Sequence, residues 1–286
     1  MKENSSKQLI IGLPATGKTT FLAALWHVVY EKEIQGALQL KELPELRDHL
    51  NKICEKWIDC YPIERTKVGF EKTVSMKLVD TKTSTEVEVF FPDMSGETFL
   101  NHLKDRQWSK DYDDFVREAD GILLFVHPEK ITEPILIDQV LPLIEELEPE
   151  AGNTIIGDTN EEAPWTVEKV PSQVLLVEIL QFYVNNPHLY RIERVGVVIS
   201  AWDLVMKHEQ SPDEYLETRL PLLHQYIKAN RDLFLAKSFG ISAQGGDYNN
   251  VEQLRTKVRP IERIIVADGG SNPHDITAPV KWLMGL

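Results

Sequence analysis

Residues 12–20, GLPATGKTT, constrain this chain more than any other stretch of it. They fit the spacing G-x-x-x-x-G-K-[ST] at Gly12, Gly17, Lys18 and Thr19. A short apolar run, residues 9–11, stands directly before them, and an amphipathic stretch, residues 18–30, follows. In that stretch Phe21, Leu22, Leu25, Val28 and Val29 fall on one helical face. Strand, glycine loop and helix in this order make a nest of backbone N–H groups. Glycine lets the backbone approach a ligand without a Cβ, and the helix adds the positive end of its dipole. The expected ligand is the phosphate chain of a nucleoside triphosphate, wrapped by the main chain of Gly12, Ala15, Thr16 and Gly17. Lys18 is expected to bring a point charge to the β- and γ-phosphates and the Thr19 hydroxyl to ligate Mg²⁺. Thr20 is placed to contact the α-phosphate.

The rest of the chain alternates strand and helix patterns. Residues 68–79 and 86–91 read as neighbouring strands. Residues 121–127 (GILLFVH) and 195–200 (VGVVIS) are continuous apolar runs, as in a sheet covered on both faces, and 238–242 and 263–267 are shorter versions. Helical patterns cover residues 35–64, ending near Pro62, and 107–118, 135–148 and 172–185. Ser211, Pro212 and Glu214 form a capping box with proline at the first helical position, and Pro221 interrupts or kinks the helix begun there. The expected fold is therefore α/β, three-layered, with a mostly parallel sheet and helices on both faces. No internal repeat or long linker divides it. A single domain over 1–286 is expected, with insertions at roughly 35–64 and 130–190 and a C-terminal extension over 250–286.

Charge narrows the partners. Forty-five acidic against 31 basic residues leave a net charge of −14, which disfavours nucleic acid and anionic membrane because both call for a positive field. A compact anion pocket built from N–H groups needs no such field. The two cysteines, Cys54 and Cys60, form no CxxC pair and are expected to be reduced thiols. The polar start, MKENSSKQ, and the lack of any apolar run near the ~20 residues of a membrane span point to a cytoplasmic protein. The eight histidines show no metal-binding spacing, and His127 reads as a core-edge group. The acidic run 145–150 reads as a solvated helix end. Val280, Trp282 and Leu283 read as an amphipathic segment packed on the domain itself.

Further motifs follow at the ends of successive strands. After residues 86–91 come Asp93 and Gly96 in the spacing D-x-x-G. Asp93 can hold Mg²⁺ through water, and the Gly96 N–H can meet a γ-phosphate, so that losing the phosphate loses a loop contact. Thr66, just before the strand at 68, is read either as a second Mg²⁺ contact or as a turn residue. Thr73 is a poorer rival inside the strand. Asp203, after VGVVIS, can accept hydrogen bonds from the N1–H and N2–H₂ edge of guanine, which adenine does not offer. After the next strand, Ser242 and Ala243 bring a small-residue N–H to where guanine O6 would lie.

In this order, from GLPATGKT to ISA over residues 9–244, the motifs resemble those of Ras-like P-loop GTPases of the translation-factor-related class. More distantly, the chain is similar to bacterial double-GTPase proteins linked to conflict and defence loci. Residues 118–122 (EADGI) are also similar to the first family. The resemblance implies GTP or GDP with Mg²⁺ as ligands and a molecular switch with slow hydrolysis in a bacterial multi-protein system. It also implies a protein partner or a second copy bound through switch or inserted regions. Two departures stand out. The usual N-K-x-D or T-K-x-D base motif reads Ser200-Ala201-Trp202-Asp203, with no lysine stem to lie on the base, and Trp202 is read as core in preference to a cover over part of the pocket. Glu97 stands where Gln or His commonly orients the attacking water, and its negative charge near a triphosphate implies slow turnover. Arg65 is a candidate arginine finger in cis and Arg106 a second, although either also reads as an ordinary solvated arginine. Two alternatives remain open. One is a P-loop kinase acting on a small acceptor, for which no Arg-rich lid segment is evident. The other is a non-hydrolysing nucleotide-binding scaffold.

Overall fold

Leu9, Ile10 and Ile11 are each no more than 2% exposed, and they divide between two cores. Ile10 belongs with Phe21, Leu25 and Trp26 on one side, and Leu9 and Ile11 with Tyr112, Leu176 and Leu180 on the other. Side chains of a strand alternate between faces, so a run with no polar interruption is what a strand between two helical layers requires. Leu123 and Phe125 against Ile122, Leu124 and Val126 repeat the division.

The computed structural model of the chain describes residues 5–64, 72–93, 96–107, 110–134, 166–184, 192–208, 210–270 and 272–286. Its strands are β1 Ser5–Gly12, β2 Gln39–Leu40, β3 Lys72–Val79, β4 Glu86–Asp93, β5 Gly121–Val126, β6 Arg194–Ser200, β7 Leu235–Ser242 and β8 Ile265–Ala267. The helices before β5 are α1 Lys18–Glu31, α2 Arg47–Ile58, α3 Gly96–Asp105 and α4 Lys110–Arg117. After it come α5 Ser172–Val184, α6 Pro212–Arg219, α7 Pro221–Ala229, α8 Val251–Arg255 and α9 Ala278–Leu283. The strands form one sheet in the order β2-β3-β4-β1-β5-β6-β7-β8. Neighbours from β4 to β7 are parallel, and β2–β3, β3–β4 and β7–β8 are antiparallel. This is the expected α/β fold with a mostly parallel sheet.

Several local expectations are corrected. Residues 35–64 are not mostly helical: β2 pairs with β3 before α2 begins at Arg47. The strand read from 263 starts at Ile265, because Arg263 closes a 3₁₀ turn. Pro221 interrupts the helix, one of the two readings open for it: one helix ends at Arg219 and the next opens at Pro221, which offers no N–H to the turn before it. The capping box at Ser211 and Glu214 is present in full. The C-terminal segment packs on the sheet. Val280 is fully buried, Gln8 of β1 donates its side-chain amide to the Val280 carbonyl at 3.2 Å, and Trp282 meets Phe239 edge-on at 5.9 Å. Among the described residues no helix is long and apolar enough to cross a membrane.

α1 is buried on every side from Phe21 to Val29, and α2 closes over it. His27 lies in that seam, its ring 5.2 Å from Trp57 and its Nδ1 3.9 Å from the Cys54 sulfur, with Nε2 buried and unpartnered. Both cysteines are free and buried, and burial pushes the Cys54 thiol up to about 12. Burial also lowers the His27 pKa below its usual 6.5; Glu31 and Glu33 oppose this and Arg263 reinforces it. The unfolded chain therefore takes up this proton more readily than the folded one. The neutral ring contributes stability that is complete above about pH 6.5 and is lost as pH falls through that value toward the folded pKa. Thermal melts should show Tm falling on acidification from about pH 7.5 to 5.5, with a shallower fall in His27→Gln. Parallel curves for the two proteins would contradict this.

Candidate functional site

β1, β4, β5, β6 and β7 all run the same way, so their C-terminal ends share one edge of the sheet. Open α/β sheets bind ligands at that edge. Here it carries the loop after Gly12, Asp93, His127, residues 200–203 and residues 242–244.

The loop after β1 is held in shape by its own lysine. Lys18 Nζ donates to the carbonyls of Gly12 and Leu13, both at 2.9 Å, and lies 3.4 Å from the Thr16 hydroxyl. The Thr16 hydroxyl donates to the Leu13 carbonyl at 2.8 Å, so Thr16 offers a ligand its main chain and not its side chain. At Gly12, φ is +152°, and a Cβ would lie 2.5 Å from the Phe125 carbonyl oxygen, which only glycine avoids. Ala15 and Gly17 take left-handed conformations, and Gly17 caps α1. No side chain caps that helix and its first turn has no acidic residue, so its N–H groups keep their positive field toward the loop. Thr19 lies half-buried in this first turn. The arrangement fits a phosphate chain.

At the other end of the site, Ser242 Oγ donates to Asp203 Oδ1 and accepts the Gly245 N–H at 3.0 Å. One carboxylate oxygen of Asp203 is thereby fixed. The Ala243 carbonyl accepts the Trp57 indole N–H at 2.9 Å, which pins the Ala243 peptide to α2. Arg263 braces Trp57 in turn. Its guanidinium donates to the carbonyls of Trp57 at 2.9 Å and Ile58 at 3.1 Å, and stacks 4.8 Å over the Trp57 ring. A cation at the end of α2 also complements the helix dipole. Trp202 is 4% exposed and meets Tyr215 edge-on. It lies against Gly240, where a Cβ would come within 2.3 Å of the indole. Trp202 is therefore core and does not lid the pocket. Ser200, at the first position of the base motif, gives its hydroxyl to the Val126 carbonyl at 3.1 Å.

A cavity of about 350 Å³ joins the two ends, running from Gly17 and Thr20 to Asp203, Ser242 and Ala243. Its size suits a small molecule. Three residues that sequence reasoning did not assign to the site also shape it. His127 accepts the Glu129 N–H at Nδ1 and forms part of the wall, and burial lowers its pKa. Gln244 lines the cavity as well, and Trp57 acts from behind Ala243. Gln244 was legible as the residue after Ser-Ala; nothing local marked Trp57.

Asp93 ends β4, and the backbone of Gly96 and Glu97 opens α3. Thr73 sits in β3 opposite Pro92. Arg106 follows α3 and forms an ion pair with Glu178 of α5 at 2.8 Å, which ties it to that helix as a surface arginine. Arg65 and Thr66 lie outside the described residues, as do the acidic run and most of the 130–190 insertion.

Solved structures that resemble the chain include the following three. A bacterial selenocysteine-specific elongation factor EF-Sec is 13% identical, with 88% of this chain and 28% of that chain covered and a TM-score of 0.39. The signal recognition particle receptor SRb-GTP/SRX complex from Chaetomium thermophilum is 12% identical, with 88% and 96% covered and a TM-score of 0.42. Methanosarcina barkeri Roco2 RocCORdC bound to GDP is 11% identical, with 89% and 49% covered and a TM-score of 0.36. No curated protein matches the sequence. The family model for Double-GTPase 1 matches residues 9–283, nearly the whole length. The chain belongs to the Double-GTPase 1 family.

Proposed function

We infer that this chain is a guanine-nucleotide switch with slow, Mg²⁺-dependent GTP hydrolysis. Family membership implies guanine-nucleotide binding. The observation that carries the finer reading is one cavity bordered by Gly17 and Thr20, at the phosphate loop, and by a Ser242-oriented Asp203. The uncapped start of α1, Lys18 and the main chain of residues 12–17 hold the phosphates. Asp203 accepts from the N1–H and N2–H₂ edge of guanine, and the Ala243 N–H meets O6. Thr19, Asp93 and Thr66 are the Mg²⁺ ligands of this reading, and the ion supplies charge to the γ-phosphate. Gly96 and Glu97 open a helix at the same edge, where a γ-phosphate contact would couple nucleotide state to the position of α3.

Glu97 follows the D-x-x-G glycine in the sequence, where the resemblance puts the water-orienting residue, and a carboxylate there would slow turnover. Arg65, or a cation from a partner, makes up the missing charge. The single domain, the inserted regions as the surface for a protein partner or second copy, and the cytoplasmic, multi-protein setting belong to the same reading. Phosphate release from GTP tests it, with Mg²⁺ or a chelator and with or without small acceptors. The expected result is slow release that requires Mg²⁺ and ignores acceptors. Tight binding without release would favour a scaffold, and release that depends on an acceptor would favour a kinase.

A further inference from the structure

Arg263 is 5% exposed, and among the described residues its guanidinium meets no carboxylate. It donates to the carbonyls of Trp57 and Ile58 and to the Cys60 sulfur, while its Nε is buried without a partner. A cation buried in this way loses solvation that neutral partners only partly replace. What the guanidinium secures is the end of α2, and α2 reaches the cavity wall through one bond. Trp57 is fully buried behind that wall, and its indole N–H donates to the carbonyl of Ala243, which lines the cavity. The main chain of Arg263 meets the same stretch of wall. Gly245 takes a φ of +81°, and a Cβ there would stand 2.2 Å from the Arg263 carbonyl oxygen. The Gly245 N–H in turn donates to Ser242 Oγ, which orients Asp203. Residues 242–245 are therefore held from outside at two points, and both lead to Arg263.

We propose that Trp57 and Arg263 are positioning residues that couple the seating of α2 to nucleotide occupancy of the cavity. This rests on the guanine-nucleotide reading and deepens it, since anything that binds or shifts α2 then alters affinity. Neither side chain touches the ligand. A nucleotide that orders residues 242–245 steadies the Ala243 carbonyl against the indole and so holds the end of α2. By linkage, whatever loosens α2 weakens nucleotide binding by the same factor.

Hydrogen exchange of the full chain with and without saturating GDP tests this in the parent, in Trp57→Phe and in Arg263→Met. Phenylalanine keeps a ring in the seam and removes the donor to Ala243. Methionine keeps a long side chain and removes the brace. In the parent, GDP should slow exchange both at residues 12–20 and at the end of α2 around Trp57. In either variant the protection at 12–20 should remain, while that at α2 should shrink by about fivefold. GDP should bind about fivefold more weakly as well, the net value of one neutral hydrogen bond. A purely structural role would speed exchange in α2 equally with and without GDP, and an unchanged protection ratio in either folded variant overturns the inference. So does a parent in which GDP protects the phosphate loop but not α2, a result that leaves the guanine reading intact. A parent chain that binds no GDP defeats both.

Discussion

Lys18→Ala is expected to lower affinity for GTP by about 10- to 100-fold, the effect of losing a charged hydrogen-bonding group, and to abolish phosphate release. Two losses coincide in this variant. The ammonium no longer faces the phosphates, and the carbonyls of Gly12 and Leu13 lose the donor that gathers the loop around them. GDP should suffer less than GTP, because the point charge matters most where the phosphate charge is greatest. Arginine should not restore the parent, since a planar fork does not reach two converging carbonyls as a compact ammonium does. Calorimetry with both nucleotides, together with a phosphate-release assay, reads the effect. A Lys18→Ala protein that turned over GTP at the parent rate would refute the role given to this loop.

Asp203→Asn should change the base that is accepted rather than simply weaken binding. The carboxylate has two acceptors, one already oriented by Ser242. Guanine matches it with two donors. Asparagine keeps one acceptor but turns the other into a donor, which meets the N2–H₂ of guanine donor to donor. Xanthine carries a carbonyl at that position and accepts from the new amide. GTP affinity should fall by about 100-fold or more, from hydrogen bonds to a charged group that are worth ~1.5–3 kcal/mol each. XTP affinity should rise above that of the parent protein. Competition binding with GTP, XTP and ATP decides it. Equal losses for all three would mean that Asp203 supports the fold and does not read the base.

What could be read from the sequence was what is written locally. Residues 12–20 carry their function in the spacing of two glycines and a lysine, and the two apolar runs of β5 and β6 announce a sheet covered on both sides. The Ser211 capping box was equally plain, because all its partners lie within one turn. Other features are made by distant residues. β2 is two residues long and exists because Gln39 and Leu40 pair with Val79 and Leu78, which no local propensity signals. Trp57 reaches Ala243 across 186 positions of sequence, and Arg263 reaches Trp57 across 206. Neither α2 nor the approach to β8 looked like part of a base-binding site. Trp202 could have been lid or core on pattern alone. The space over Gly240 decides it, and that space is set by β7. Gln244 stood beside a recognised pair, but that its carboxamide is buried without a partner is a property of the folded chain.

Guanine recognition at the end of the cavity that holds Asp203 is what the proposed switch requires first. Calorimetric titration of the full chain with GTP, GDP and ATP analogues in Mg²⁺ tests this most directly. Micromolar or tighter binding of GTP and GDP, with no measurable heat from ATP, is the predicted result. Micromolar binding of ATP with none of GTP would contradict it.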